Sequence, residues 1–382
     1  MYKLVLYDTS NFEDFPIGGQ LTSIRNFLYY MAEKQSIECK KVLLVGITND
    51  KNDVGIIKQI NLFGVKFDFL PVLWRDKDLS KVKKSLRLQF VQGLFSNGKK
   101  ILCDSNTLHY IHTPEAYIYI KFMHPFAKTA VFSHGSFFNM TKGFRFFSNN
   151  IIIKTTFKFF LKLLLKTATC VFVLDMKTKI DYERYGANVK LVDNSIILPI
   201  RQYRRKKVHK PLRVLFVGRL SKVKCVDNIL KAIQLYEQDI RFTIVGDGEE
   251  RNVLLKIVKE LNLERKVIFT GSVTPEHVRN YILENDILIM NSILEGKPMT
   301  IIEAISYGMP VITTPVGGIV EMLREGNSAC FTTGSAESIQ EALDVVTNNF
   351  YDFSCGAIED SRKFDYKIVN EKIYKEIFTI IG

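Results

Sequence analysis

The sequence lacks the features of a membrane-spanning or disulfide-stabilised chain. No apolar run reaches about 18 residues without a charge, so we expect no transmembrane helix. The start, Met1–Asp8, has no long apolar core, which argues against a signal peptide and favours a first strand. The six cysteines form no close pairs. We therefore expect reduced thiols in a cytoplasmic protein, and no zinc site.

Acidic residues are scarce in the first half of the chain. Residues 1–200 contain 28 Lys and Arg against 16 Asp and Glu, and residues 201–210 add six positive charges. Residues 211–382 carry an excess of five negative charges within a net charge of +13. We expect the basic half to face an anionic partner.

Both halves alternate short apolar strands with helical segments. The strands are rich in Val, Ile, Leu and Phe with little polar alternation, which predicts parallel sheets covered on both faces. We predict an α/β protein with two doubly wound, Rossmann-like domains, 1–200 and 211–365, facing across a ligand-binding cleft. A basic linker at 201–210 joins them, and a C-terminal helix at 366–382 could pack back on the first domain. The run Lys100–Asp104 is predicted to be a strand.

The stretch Glu295–Glu303 has the strongest functional pattern. It follows the apolar run 286–290, and Pro298 suits the first turn of a helix that stops at Gly308. Amide N–H groups at a helix N-terminus bind anions, while carboxylates accept hydrogen bonds from sugar and ribose hydroxyls. This is the outline of a nucleotide-sugar site. Its predicted residues are Glu295, Gly296, Lys297, Pro298, Met299, Thr300 and Glu303.

Further turns of the second half could contribute to the same site. Arg219 and Lys224 follow a strand and could neutralise a diphosphate, although plain surface charge is an equal alternative. Gly246 lies in a strand-to-helix turn where backbone could approach a ligand, or which could be only a tight turn. The run Pro315–Gly318 could add amides to the anion site, or be only a turn.

The first half offers weaker candidates. Gly18 and Gly19 open a helix after the first strand and could admit a donor phosphate or an acceptor. The full G-x-G-x-x-G pattern is missing, so a dinucleotide site is not supported. His134 ends the apolar strand at 129–134, and we expect it to contact the ligand.

Metal binding is not predicted. His109 and His112 lie near Glu115, but without a recognisable ligand spacing. The triplet Asp76-Lys77-Asp78 resembles a metal-binding D-x-D but does not follow a predicted strand, and we interpret it as a solvated loop.

A helix predicted near Ile151–Leu165 carries a stripe of lysines. Lys154, Lys158, Lys162 and Lys166 recur every four residues, while the other faces are mostly apolar. The helix could pack on a core with a solvated lysine stripe, or lie on an anionic lipid surface.

The sequence resembles the retaining glycosyltransferases of the GT-B fold, in particular glycosyltransferase family 4 (group 1). The resemblance is specific over Leu212–Glu321 and loose in the first half. The motifs that carry it occur in the family's order: Gly218-Arg219-Leu220 with Lys224, Val245-Gly246-Asp247-Gly248, Thr270-Gly271-Ser272-Val273, the Glu295–Glu303 E-x7-E and Pro315-Val316-Gly317-Gly318.

The resemblance implies a role for each matching residue. Arg219 and Lys224 would bind the donor diphosphate, and Glu295 and His134 would contact the sugar. Glu303 would bind the ribose. The residues implied near the base are Gly271, Ser272 and Val273. Family enzymes need no metal or other cofactor, and the leaving phosphate helps to deprotonate the acceptor.

Three residues depart from the family's pattern. Cys225 stands where a glycine is usual, and Ser195 stands where glycine often follows an asparagine. Lys297 replaces a residue that is frequently apolar, and it could alter the choice of donor.

We therefore predict a retaining enzyme that moves a hexose-type sugar from a UDP- or GDP-sugar to an acceptor hydroxyl. The expected acceptor is a lipid-linked glycan of a bacterial surface polysaccharide, such as capsule, exopolysaccharide or O-antigen, including lipopolysaccharide. The basic first domain would make a peripheral contact with the anionic inner face of the cell membrane. The alternatives are a nucleotide-sugar epimerase, a glycan phosphorylase, and a non-catalytic sugar-nucleotide or polyanion-binding protein; we expect no nucleic-acid partner.

Overall fold

A computed structural model describes residues 1–14, 19–34, 41–76, 85–135, 151–200, 202 and 204–382. The chain divides into two compact units. The first unit contains Met1–Ser195 and Tyr366–Gly382, and the second contains Ile196–Asp365. No helix within the described ranges is long and apolar enough to cross a membrane.

The first unit is built on an eight-stranded sheet with the order β3-β4-β2-β1-β5-β6-β7-β8. Every pair is parallel except β3 with β4. Its strands are β1 (Leu4–Tyr7), β2 (Val42–Thr48), β3 (Lys58–Leu62), β4 (Val65–Trp74), β5 (Leu108–Ile111), β6 (Lys128–Ser133), β7 (Cys170–Val173) and β8 (Val189–Leu191).

Helices cover both faces of this sheet. The described helices are α1 (Gly19–Glu33), α2 (Leu86–Asn97), α3 (Ala116–Met123), α4 (Ile151–Thr167), α5 (Met176–Glu183) and, from the chain end, α13 (Tyr366–Ile381). α1 and α13 pack on one face, and α2 to α5 pack on the other. The buried Ser195 accepts hydrogen bonds from Asn26 of α1 and Asn370 of α13. The C-terminal helix is therefore part of the first unit.

The second unit contains a six-stranded parallel sheet in the order β11-β10-β9-β12-β13-β14. Its strands are β9 (Leu212–Val217), β10 (Ile240–Val245), β11 (Val267–Gly271), β12 (Ile287–Met290), β13 (Val311–Thr313) and β14 (Ala329–Phe331). Its helices are α6 (Val226–Leu235), α7 (Arg251–Glu260), α8 (Pro275–Glu284), α9 (Met299–Ser306), α10 (Ile319–Met322), α11 (Ala336–Asn348) and α12 (Phe350–Ser361). Because all the strands are parallel, their carboxyl ends meet at one edge of the sheet.

The structure corrects the predicted strand at Lys100–Asp104. Leu102 is exposed there, and the strand that pairs with β1 is β5, which starts at Leu108. His109 interrupts the apolar pattern of β5 and hid the strand from sequence reading. β3 was also not foreseen; it pairs antiparallel with β4 through a tight turn at Phe63-Gly64, where both residues have a positive φ.

The structure also differs from the predicted linker at 201–210. The second unit already begins at Ile196, and Arg205 is half-buried within it. The Arg205 guanidinium donates to the carbonyl oxygens of Ile282, Asn285 and Tyr307. Burial lowers the pKa of Arg205 to about 10. This part of the polar run is an anchor for α8 and α9.

Candidate functional site

The carboxyl ends of β9 and β10 approach each other through glycine. Gly246 follows β10 with φ 137°, and a Cβ at this position would collide with the carbonyl oxygen of Gly218. The Gly246 N–H also donates to the carbonyl of Gly271, at 2.9 Å. Gly246 and Gly271 are thus neighbours at one edge of the sheet, followed by the exposed Ser272 and the half-buried Val273.

Glu295 lies at the centre of a polar cluster on the loop after β12. Its Oε1 accepts hydrogen bonds from the Lys224 ammonium and from Ser292 Oγ, the latter at 2.6 Å. The side chains of Glu295 and Lys224 are only 11% and 18% exposed. Desolvation strengthens such a pair, so the charges hold one defined geometry at the site.

The Pro315–Gly318 turn packs directly against the Glu295 loop. A Cβ on Gly317 would collide with the carbonyl oxygen of Glu295. The Gly318 N–H donates to the carbonyl of Gly296 at 3.0 Å. Glycine is therefore required at this contact for steric reasons, and at Gly317 also because φ is 59°.

The helix α9 begins one residue later than the sequence predicts. Pro298 occupies the cap position with extended backbone, and Met299 and Thr300 are the first helical residues. The N–H groups of a first helical turn have no partner within the helix, and they carry the positive end of its dipole. Together with the preceding loop, this helix start offers donors for an anion.

Glu303 lies in the second turn of α9. Within the described residues no hydrogen bond or ion pair to its carboxylate is found, and desolvation raises its pKa to about 7. A half-buried, desolvated carboxylate without a partner is costly. Two ligand hydroxyls that donate hydrogen bonds to this carboxylate would remove that cost.

Lys297 is buried under the glycine turn. Its side chain is 3% exposed, and its Nζ lies 3.2 Å from Glu321 Oε2. The ammonium thus ties the Glu295 loop to α10. Only the backbone of Lys297 belongs to the loop that leads from Glu295 to α9. The suggested influence on donor choice could act through the loop but not through a free side chain.

Arg219 differs from Lys224 in its surroundings. Its side chain is 76% exposed, and its Nε lies 3.1 Å from Glu249 Oε2. The pKa of Glu249 is lowered first by its own backbone amide and then by Arg219. The structure brings Lys224 together with Glu295 but gives Arg219 a separate partner.

In the first unit, His134 follows β6 and contacts another histidine. Its Nε2 lies 2.9 Å from Nδ1 of the buried His112, and its ring stacks on Phe132. Burial, with the positive charge of Arg87, lowers the pKa of His134 to about 3. Gly19 begins α1, whereas Gly18 lies outside the described residues.

The possible metal ligands of the first unit have separate partners. His109 Nδ1 lies 2.8 Å from the Tyr7 hydroxyl, and Glu115 pairs with Arg87 at 3.1 Å. His109 and His112 are three residues apart along an extended segment, so they point to opposite faces of the sheet. Among the residues that the structure describes, no group of three or more possible ligands could hold a metal ion. Of the D-x-D triplet, Lys77 and Asp78 lie outside them.

Comparison with known proteins identifies the fold. Sucrose-phosphate synthase from Thermosynechococcus elongatus superposes with a TM-score of 0.74 at 16% identity, covering 98% of this chain and 99% of that one. HepE from Anabaena, in complex with UDP-glucose, superposes with a TM-score of 0.70 at 16% identity over 98% and 99% of the two chains. The chain has the GT-B fold.

A protein-family match lies within the second unit of this GT-B chain. Residues 200–353 match the family described as glycosyl transferases group 1. The N-acetyl-alpha-D-glucosaminyl L-malate synthase of Bacillus anthracis is 30% identical over 137 residues, 34% of this chain and 35% of that protein. The amylovoran biosynthesis glycosyltransferase AmsK of Erwinia amylovora is 28% identical over 149 residues, 36% and 37% of the two. The matched segment spans about a third of each relative.

Sequence reasoning missed Asp8, a polar residue at the end of a strand in the first unit. Asp8 directly follows β1, is buried, and accepts hydrogen bonds from Ser10, Gln20 and Thr113. Burial raises its pKa, and those hydrogen bonds oppose the rise. Its position after the first strand was the available signal, because the same argument selected His134.

Proposed function

We propose that this chain is a retaining glycosyltransferase that moves a hexose-type sugar from a nucleotide diphosphate sugar to an acceptor hydroxyl. The observation that carries the proposal is the arrangement around α9. A desolvated Lys224–Glu295 pair precedes the helix start, and the carboxylate of Glu303, which has no partner among the described residues, lies one turn further on. The site therefore offers a cation and amides for phosphate, and two carboxylates for hydroxyls.

In this proposal the residues divide the donor between them. Lys224 and the α9 amides bind the diphosphate and stabilise charge as it leaves. Lys224 is then shared between phosphate and Glu295, which accepts from the sugar hydroxyls. Glu303 accepts from the ribose, Gly271–Val273 border the base, and Arg219 leaves Glu249 to reach the phosphate.

Retention without a metal or other cofactor is part of the proposal. The leaving phosphate would take the proton of the attacking hydroxyl on the same face of the sugar, and no protein nucleophile is required. HepE was solved with UDP-glucose, which supports a nucleotide-sugar donor here and leaves UDP and GDP as the bases to compare.

We also propose that the acceptor is a lipid-linked glycan of a bacterial surface polysaccharide. AmsK is named for amylovoran biosynthesis, and another GT-B neighbour is a lipopolysaccharide outer core galactosyltransferase, with a TM-score of 0.66 at 20% identity. Such an acceptor would place the protein at the cytoplasmic face of the membrane.

Charge in the first unit supports a peripheral membrane contact. The 59 residues from Ala116 to Leu174 contain eight Lys and Arg and no Asp or Glu. On α4, Lys158, Lys162 and Lys166 are exposed. Each lysine near an anionic lipid surface contributes about 1 kcal/mol.

Apolar side chains accompany these lysines. Phe95 of α2 and Phe122 of α3 have ring centroids 5.6 Å apart, and Phe122 is 74% exposed. The Tyr117 hydroxyl of α3 lies 2.6 Å from Thr167 Oγ1, which places α4 beside α3. We call the exposed apolar residues of these helices and the α3–β6 loop the apolar strip: Leu88, Phe95, Ile118, Phe122, Met123, Phe126, Phe159 and Leu163. Apolar residues beside lysines are typical of surfaces that insert at a lipid interface.

The proposed transfer is tested with purified protein and a screen of UDP-, GDP- and ADP-sugars. A ligand at about 100 times its dissociation constant stabilises by roughly 2.7 kcal/mol, which thermal unfolding detects. Transfer from the best donor is then compared in Lys224→Ala, Glu303→Ala and the exposed control Glu284→Gln. We expect transfer to be lost in the first two variants only. Full transfer in both would refute the site, and donor binding without any transfer would favour a non-catalytic binding protein.

A further inference from the structure

His112 is a buried residue for which the proposed reaction provides no role. It follows β5, and its ring lies between Phe132, stacked at 5.2 Å, and Tyr110, edge-on at 4.5 Å. Its Nε2 is buried and has no hydrogen-bond partner in the part of the chain that the structure describes. The only polar contact of the ring within the described residues is Nδ1 to His134 Nε2, at 2.9 Å.

The backbone of His112 is held from two sides. Its N–H donates to the carbonyl of Tyr7 at 2.9 Å, and its carbonyl accepts from Gln20 Nε2 at 3.3 Å. Gln20 also donates to the buried Asp8. Strand β1 and the first turn of α1 therefore both hold the backbone that carries this imidazole.

The contact between the two rings restricts His134. Burial lowers the pKa of His112 well below its ordinary value and that of His134 to about 3, so both rings are neutral in the folded protein. A neutral imidazole has one N–H and one lone pair. One proton lies between Nδ1 of His112 and Nε2 of His134, so the tautomer of either ring determines that of the other.

We propose that His112 is a positioning residue: it holds His134 Nε2 in a hydrogen bond and so leaves the Nδ1 edge of His134, in a single tautomer, for the ligand. The inference rests on the proposed function for His134 as a sugar contact. It assigns His112 the task of fixing the orientation and tautomer of that contact without touching the substrate itself.

The orientation is tested by ring nitrogen-15 NMR, which does not depend on activity. We expect the two ring nitrogens of His134 to have widely separated shifts in the wild-type protein, as one tautomer gives. In His112→Phe the shifts should move together, and in His112→Asn, whose amide can replace Nδ1, they should separate again. Averaged shifts in the wild-type protein would overturn the proposal, even if His112→Phe does not fold.

Kinetics supply the second measurement. We expect kcat to fall about 10- to 100-fold in His112→Phe, as a misplaced group causes, with little change in KM for the donor and partial recovery in His112→Asn. His109→Phe is the matched control, because it removes a buried histidine of β5 that bonds Tyr7 and not His134. An equal loss in that control would show a merely structural effect and overturn the proposal. Changed His134 shifts with unchanged transfer would instead uphold the positioning and refute the proposed role of His134.

Discussion

Cys225 has a left-handed backbone, with φ 43° and ψ 46°, between the short 3-10 turn at Lys222–Lys224 and helix α6. A side chain in this conformation costs about 1–2 kcal/mol, which explains why glycine is usual at this position in the family that the sequence resembles. Glycine at this position would relieve that cost, but part of the stabilisation is offset because glycine has more freedom in the unfolded chain. We expect Cys225→Gly to raise the free energy of unfolding by about 0.5–1 kcal/mol.

Urea denaturation measures the effect as a higher midpoint with an unchanged m-value. Cys225→Ala is the matched control, since it removes the thiol but keeps the Cβ. Stabilisation by alanine as large as that by glycine would show that the thiol, and not the backbone, is the source of the strain.

The raised pKa of Glu303 makes the stability of the protein depend on pH. Its pKa of about 7 exceeds the ordinary value of 4.5, so the folded protein keeps a proton that the unfolded chain releases. The contribution of Glu303 to the free energy of unfolding is therefore fully present below about pH 4.5 and falls as pH rises towards 7. A difference of this size corresponds to about 3 kcal/mol at most. We expect Glu303→Gln to gain stability over the wild-type protein as pH rises from about 5 to 8.

Chemical denaturation at several pH values measures this difference without any ligand. Glu284→Gln, at an exposed site on α8, should run parallel to the wild-type protein at every pH. Parallel curves for Glu303→Gln as well would show that Glu303 titrates normally and that burial does not prepare it for hydroxyl donors.

At the scale of elements, Arg205 connects the ends of two helices. Ile282 and Asn285 belong to the last turn and C-cap of α8, and Tyr307 is the C-cap of α9. Their carbonyls would have no intrahelical partner, and a cation at this pole is also favourable for the helix dipoles. We expect Arg205→Ala to destabilise the protein by about 2–4 kcal/mol, because buried acceptors lose a charged donor.

Thermal unfolding distinguishes this anchor from a solvated linker. Arg205→Lys should recover only part of the loss, since one ammonium cannot replace the planar guanidinium fork. The exposed neighbour Lys206 provides the control, and Lys206→Ala should unfold like the wild-type protein. If Arg205→Ala also did so, the run would behave as the linker that its composition suggests.

The sequence predicts elements best where their periodicity is unbroken. The apolar run 286–290 is β12 to within one residue, and the helix predicted from Pro298 is α9, which starts at Met299 and ends before Gly308. β5 was missed because His109 breaks its apolar pattern, and the contact of His109 with Tyr7 is non-local. Arg205 was misinterpreted for the same reason: its acceptors lie about 80 to 100 residues away in the chain, where composition gives no signal. The strand, loop and helix of the E-x7-E segment could be read because adjacent residues determine them.

At the scale of the molecule, the uneven charge is explained by the separate positions of the two proposed substrates along the chain. In the acidic second half, Lys224 provides a positive charge in the proposed donor site, where it pairs with Glu295. The basic first half has an exposed lysine row beside the apolar strip. We therefore expect the lysine row to provide most of the affinity for anionic lipid and the apolar strip to provide the part that resists salt.

Vesicle flotation tests this division with phosphatidylcholine vesicles that contain no anionic lipid or about 30% phosphatidylglycerol. We expect binding to the anionic vesicles only, weakened about 100-fold or more when Lys158, Lys162 and Lys166 are all changed to Glu. Phe122→Ser with Phe126→Ser should abolish the binding that remains in high salt.

The matched control reverses Lys256 and Lys259, exposed lysines of α7 in the second unit, and should float like the wild-type protein. Unchanged flotation of the first-unit variants would refute the surface, and a wild-type dimer that Phe122→Ser dissociates would show that a second copy covers the strip instead.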